Sequence, residues 1–162
     1  MSETQDITGW LSGRLPEDWF TGEPEVTVDR DEILVVGRLA ALEGGTEAET
    51  GRIGRFRDET RERRMQIARE AEQRYGRKVA WGAECGETRQ VFTSLSVPVM
   101  TRLRQPERRV LDTLVDAGVA RSRSDALAWA VRLVGRHTED WLGQLREAMA
   151  DVERVRAAGP GL

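Results

Sequence analysis

The stretch DAGVARSRSDALAWAVRLV, Asp116 to Val134, decides how this chain is read. Gly118 stops one helix, because glycine accepts the left-handed backbone that ends a helical run. Ser122 has the short oxygen-bearing side chain of an N-cap, and Asp125 three residues on is placed to return a hydrogen bond to the cap. Asp125 also stands in the positive first turn. Behind the cap, Leu127, Ala130, Val131 and Val134 recur at helical spacing. A second helix is therefore expected from about Arg123 to Val134, broken at Gly135. Capping alone accounts for Ser-Arg-Ser-Asp. The same residues suit a second use, since a helix N-terminus offers free amides and the positive dipole end to an anion. Arg121 and Arg123 flank it. A phosphate held there is positioned without being read for sequence.

Outward from this stretch the pattern stays helical. Pro106 suits a first turn, where its missing N–H is not needed. Val110, Leu111, Leu114 and Val115 form the expected buried face of the preceding helix. On the other side a third helix starts with Thr138 as N-cap. Leu142, Leu145, Met149 and Val152 follow at 3-4-3 spacing, a short coiled-coil-like seam. Upstream, VPVMTRL (97–103) reads as a short strand ending at Leu103.

A strand, then LDTLVDAG (111–118), then SRSDALAWAVRLV (122–134) resembles the ribbon-helix-helix superfamily of DNA-binding proteins, the group of Arc, MetJ and CopG. The resemblance covers about residues 97–137, a quarter of the chain. It implies a dimer whose strands pair into an antiparallel ribbon that enters the major groove. It also implies that the amides at Ser122 and Arg123 hold a DNA phosphate. On the ribbon, Val97, Val99, Thr101 and Leu103 would face inward, and Met100 and Arg102 outward, with Arg104 just beyond. An arginine there can donate two hydrogen bonds to a guanine edge. The chain departs from the family at Pro98, which suits only an edge strand, and at Glu107 and Arg108, where the family buries apolar residues. The module also follows some ninety residues instead of opening the chain.

The N-terminal half reads differently. Residues 1–24 hold Gly9, Gly13, Pro16, Gly22 and Pro24 among Trp10, Trp19 and Phe20, an acidic, breaker-rich leader in which no long element is expected. EVTVDRDEILVVGRL is a hairpin with Asp29-Arg30-Asp31 as its turn. EGGTEAET is a loop or a short helical turn. A charged helix runs from about Gly54 to Tyr75, with Ile53, Phe56, Thr60, Ile67, Ala71 and Tyr75 as a thin apolar stripe. Pairs such as Glu70 and Arg74 support its surface, and Gly76 ends it. KVAWGAECGETRQVFTSLSV is a second hairpin turning near Gly86-Glu87, with Val91 to Val97 in its second strand.

GRIGRFRDETRERRMQIAREAEQRYGRKVAW, about 51–82, also resembles part of a type II KH domain. That resemblance makes Gly51-Arg52-Ile53-Gly54 a loop clamping single-stranded nucleic acid, and makes RNA or the ribosome a partner.

Composition narrows the rest. The chain has 162 residues, 39% hydrophobic and 33% charged, with a net charge of −3. Residues 1–50 carry twelve acidic and three basic side chains, so the mildly basic remainder is the part suited to nucleic acid. The single cysteine, Cys85, and the single histidine, His137, make neither an internal disulfide nor a zinc set. Asp29, Asp31 and Glu32 lack the glycine and further oxygens of a calcium loop. No P-loop, dinucleotide fingerprint or paired-carboxylate motif stands out. No cofactor and no catalytic residue are expected, and the chain reads as a non-enzyme. No apolar run reaches the roughly 20 residues of a membrane span, and no signal peptide is read, so the expected place is the cytoplasm.

Together these point to an α+β protein in three stretches: the leader (1–24), a hairpin–helix–hairpin unit (25–96), and a ribbon-helix-helix-like helix pair with a C-terminal amphipathic helix (97–157). The expected function is that of a dimeric, DNA-binding transcriptional regulator, paired through its C-terminal helices, with a protein partner for the N-terminal unit. The alternative is a protein-interaction or RNA- or ribosome-associated module, in which the helix pair is structural and SRSD is only a cap.

Overall fold

The computed structural model describes residues 2–161 and divides into two compact units, Met1–Val97 and Pro98–Leu162. The fold is α+β. The N-terminal unit runs α1 (Glu3–Arg14), β1 (Glu25–Val28), β2 (Glu32–Arg38), α2 (Gly45–Glu59), α3 (Arg61–Tyr75), β3 (Lys78–Cys85) and β4 (Thr88–Val91). Its sheet has the order β1-β2-β3-β4. The two hairpins are antiparallel, and the central pair β2–β3 is parallel, with Ile33 opposite Val79 and Val35 opposite Trp81. A parallel pair needs a long crossover, and α2 and α3 supply it.

The leader forms a twelve-residue helix where none was expected. Ser2 and Gln5 make a reciprocal capping box, with Ser2 N–H donating to Gln5 Oε1 at 3.2 Å and Gln5 N–H to Ser2 Oγ at 3.4 Å. Gly9 and Gly13 weaken a helix by about 1 kcal/mol each. Both lie on the exposed side, while Ile7, Leu11 and Leu15 descend at i, i+4 spacing into the core. Burying three such side chains, at roughly 1.5–3 kcal/mol each, outweighs the glycines. That core joins α1 to Ile33 and Val35 of β2, Ile67 of α3 and Trp81 of β3.

The charged helix differs from its expected outline at both ends of its first half. It starts at Gly45, so most of EGGTEAET is helical, and it breaks at Thr60 into α2 and α3. Arg64 holds the break. Its Nε donates to Thr60 Oγ1 at 3.0 Å and its Nη2 to the Arg57 carbonyl at 2.6 Å, an oxygen with no partner in a continuing helix. The guanidinium lies 5.0 Å from the Phe92 ring centroid, a cation–π contact. Burial and the positive charges of Arg57 and Arg61 push the Arg64 pKa down. The stripe is buried as expected at Ile53, Phe56, Thr60, Ile67 and Ala71. Glu70 pairs with Arg14 of α1 at 2.7 Å, tying helix to helix, rather than with Arg74.

Phe20 lies flat over Gly37, where a Cβ would overlap its ring. Gly37→Ala is expected to force that ring away and to destabilise the unit by about 1–3 kcal/mol, read as a lower midpoint in thermal unfolding. In the first hairpin Asp29 takes up the turn: its carboxylate accepts from the N–H groups of Asp31 at 2.7 Å and Glu32 at 2.8 Å, bonds that hold its pKa below the ordinary range. These acids serve the turn, and no metal-binding group occurs among the described residues. Cys85 is fully buried, with Sγ 3.5 Å from the Ala40 carbonyl, and has no access to a substrate.

Burial, with the negative charges of Asp29 and Asp31, raises the Glu32 pKa, and its buried Oε2 has no hydrogen-bond partner. The folded chain then holds the proton more tightly than the unfolded one. Glu32 thus favours folding below its unfolded pKa, and that contribution is lost as pH rises through the folded value. Glu32→Gln is expected to gain in melting temperature over the wild type as pH rises from about 4 to about 7, and an unchanged difference would remove this assignment.

The C-terminal unit comprises α4 (Gln105–Asp116), α5 (Arg123–His137) and α6 (Glu139–Ala158). Its buried core is small: Leu111, Ala120 and Ala126, with Leu103, Leu114, Val115 and Leu127 packed around them. Val110, Val131 and Val134, expected inside, are more than half exposed. Gly135 does not break α5, which runs on to His137. Thr138 begins α6, but its hydroxyl bonds back to the Val134 carbonyl at 2.6 Å and gives no side-chain cap.

Candidate nucleic-acid interface

The helix pair at the centre of the sequence reading forms as expected. Gly118 takes φ +77 after α4, and the Val119 and Ala120 N–H groups close the turn on the Leu114 carbonyl at 2.9 and 3.1 Å. This carries Ala120 into the core against Leu111 and Ala126. Ser122 is the extended N-cap of α5, and its Oγ accepts from the Asp125 N–H at 3.1 Å. Asp125 does not complete the expected box at the cap itself. Its Oδ2 accepts from the Arg121 N–H at 2.9 Å, one residue further out, and so braces the approach to the helix.

The amides of Arg123 and Ser124, the first two of α5, donate to no acceptor among the described residues. They project at the positive end of the helix, where an anion is favoured. The Arg121 side chain, 94% exposed, stands beside them with only a loose contact of 3.8 Å to Asp125. Arg123 is placed differently. Its Nε and Nη2 donate to both oxygens of Asp112 on α4, at 2.8 and 2.9 Å. This bidentate pair holds the Asp112 pKa down and the Arg123 pKa up. It clamps α4 to α5, so the guanidinium expected to flank a phosphate is engaged by Asp112 in this structure. The Arg123 backbone amide remains. Asp112 was detectable from the sequence only as an acid on α4, because its pairing with Arg123 crosses the turn between two helices and follows no spacing within either.

The segment before α4 is the other half of the candidate site. The second hairpin ends at Val91, so residues 93–104 add no strand to the N-terminal sheet, though the Leu95 backbone bonds to the Glu32 carboxylate of β2. They form no strand within the single chain, which corrects both the strand over Val91 to Val97 and that over 97–103. A strand is made by its partner, and none lies alongside in one copy. Leu103 anchors the end of the segment on the helix-pair core. Arg108 donates to the Leu103 carbonyl at 2.7 Å, which gives a use to a charged side chain where the ribbon-helix-helix resemblance expects an apolar one. Val99 and Met100 are 86% and 96% exposed. Arg102 and Arg104 are exposed, and among the described residues neither side chain has a hydrogen-bond or ion-pair partner. Arg104 is the extended N-cap residue of α4. Met100, Arg102 and Arg104 thus sit on one exposed stretch, and Arg121 and Ser122 at the start of α5.

The KH reading does not hold at its loop. Gly51, Arg52, Ile53 and Gly54 all lie inside α2, with Ile53 fully buried in the second core cluster of the N-terminal unit. A clamp on a nucleic-acid backbone needs those glycines in an open loop.

Comparisons with known proteins divide the chain as the structure does. Residues 5–91 match the family described as Rv1265-like protein, N-terminal domain, and residues 104–156 match the Mb1296 C-terminal domain. Residues 92–103 fall between the two. Uncharacterized protein Mb1296 of Mycobacterium bovis and uncharacterized protein Rv1265 of Mycobacterium tuberculosis are each 64% identical to this chain over 157 residues, covering 94% of it and 70% of their own lengths. No solved structure matches.

Proposed function

The chain belongs to the Rv1265-like family, and for this member we propose a dimeric, DNA-binding regulator that engages duplex DNA through residues 97–137. The observation that carries the reading is the unpaired, exposed stretch ending at Leu103, joined directly to a helix pair whose second helix opens on two unused amides. In a dimer two such stretches pair as a ribbon. Met100 and Arg102 then face the major groove, with Arg104 at its edge. The Arg123 and Ser124 amides, aided by Arg121, hold a backbone phosphate. Arg123 contributes its amide, while its side chain keeps α5 fixed to α4 through Asp112.

Titration of a labelled duplex at several salt concentrations tests this. Affinity is expected to fall steeply with salt, and Arg121→Ala to reduce the slope of log affinity against log salt by about one. Absence of any retention at low salt, with folding intact, would sink the reading. A second reading, a protein-interaction module, is favoured by the closed ring of contacts among Arg121, Ser122 and Asp125, which serves as a cap with no ligand. It expects Ser122→Ala to lower stability by about 1 kcal/mol and nucleic acid to be ignored.

A further inference from the structure

Helix α6 extends over twenty residues and buries none of them. In proteins most helical stability comes from packing an apolar face. Here that face is uncovered: Trp141, Leu145, Met149, Val152 and Val155 are between 43% and 68% exposed. We propose that α6 pairs with α6 of a second copy of this chain, antiparallel, about a two-fold axis near Ala148. The proposal rests on the homodimeric part of the preceding reading and not on DNA contact.

The heptad assigns the stripe. Leu142 and Met149 take a positions, Leu145 and Val152 take d, and Trp141, Ala148 and Val155 take g, an apolar face wider than a bare a/d seam. In antiparallel pairing Leu142 meets Val152 of the second copy and Leu145 meets Met149. On the g flank Trp141 comes against Val155, and Ala148 against itself, where a small side chain lets the helices approach.

Charge chooses the direction. The first turn holds Glu139 and Asp140, and the last turn holds Arg156. Antiparallel pairing brings Glu139 beside Arg156 of the second copy at both ends, and it opposes the helix dipoles. Parallel pairing stacks Arg156 on Arg156 inside the seam and sets the two acidic turns side by side. The like-charge contacts of the antiparallel pair, Arg146 with its own copy and Glu139 with Glu153 of the second copy, fall on an exposed flank where long side chains diverge. The same contact surface on both copies closes the assembly as a dimer.

Disulfide formation in solution, without DNA, separates the outcomes. In the antiparallel pair the two copies of residue 142 lie about 15 Å apart along the axis, ten residues at the helical rise, too far for a disulfide. Leu142→Cys alone and Val152→Cys alone are expected to stay uncrosslinked, whereas the double variant, or an equimolar mixture of the two, links into a dimer. The wild type, with Cys85 buried, is the control. Crosslinking of each single variant to itself would overturn the direction. A chain that sediments as a monomer, with no crosslink in any variant, would overturn the pairing. Leu145→Asp with Met149→Asp is expected to raise the dimer dissociation constant at least tenfold, with circular dichroism confirming retained helix. Failure of the wild type to bind DNA, with the cysteine variants crosslinking as expected, would count against the DNA reading alone.

Discussion

Arg102→Ala combined with Arg104→Ala is expected to weaken binding to duplex DNA by roughly thirtyfold or more, with no change in melting temperature. Each well-made contact of an arginine with a base edge is worth about 1–3 kcal/mol, so two remove at least about 2 kcal/mol. The two side chains are exposed and bond to nothing else among the described residues, so their loss has no structural cost. Arg123→Ala is the contrasting variant. It breaks the clamp to Asp112 and is expected to lower the stability of the α4–α5 pair while leaving DNA contact to the other arginines. Fluorescence anisotropy with a labelled duplex, paired with thermal unfolding, reads both effects. Equal affinity for the double variant and the wild type would remove residues 97–104 from the contact surface.

Phe56→Ala is expected to cost the N-terminal unit about 3–5 kcal/mol, because truncating a buried phenyl ring removes its transfer energy and leaves a cavity. Phe56 is 3% exposed and stands at the centre of an aromatic cluster, with ring centroids of Trp19 at 5.6 Å, Phe20 at 5.4 Å and Phe92 at 6.3 Å. For a unit of this size the midpoint of thermal unfolding is expected to fall on the order of 15 °C. Phe56→Leu keeps most of the volume and is expected to cost less. A loss below about 1 kcal/mol for alanine would place the core of this unit elsewhere.

The reach of sequence reasoning follows the range of the interactions. Gly76 and Gly118 were legible as helix stops, and Ser122 as a cap, because each acts within a few residues of itself. The first hairpin was legible from alternation and turn residues, as were the first strand and turn of the second, whose other strand is Thr88–Val91 and not Val91 to Val97. The α1 helix was not: its three buried side chains are separated by glycines, and only a sheet and α3 beneath them make the helix favourable. The break at Thr60 was hidden for a related reason. Nothing in ETRERR announces that Arg64 folds back to take the Arg57 carbonyl, since this depends on Phe92 arriving from the second hairpin.

At the candidate interface the division is the same. Sequence by itself determined the α+β class, the helix–turn–helix geometry of Asp116 to Val134, and the presence of arginines on both sides of a helix start. Spacing and capping chemistry are enough for these. Only the tertiary structure decided which arginines have a use already: Arg123 is held by Asp112 on the facing helix, while Arg121, Arg102 and Arg104 remain exposed. It also decided that residues 93–104 stand outside the N-terminal sheet, and that the sheet closes through a parallel β2–β3 pair. Ion pairing across elements and strand pairing over forty residues depend on positions in space, and those are set by burial of the whole core rather than by any local run of residues.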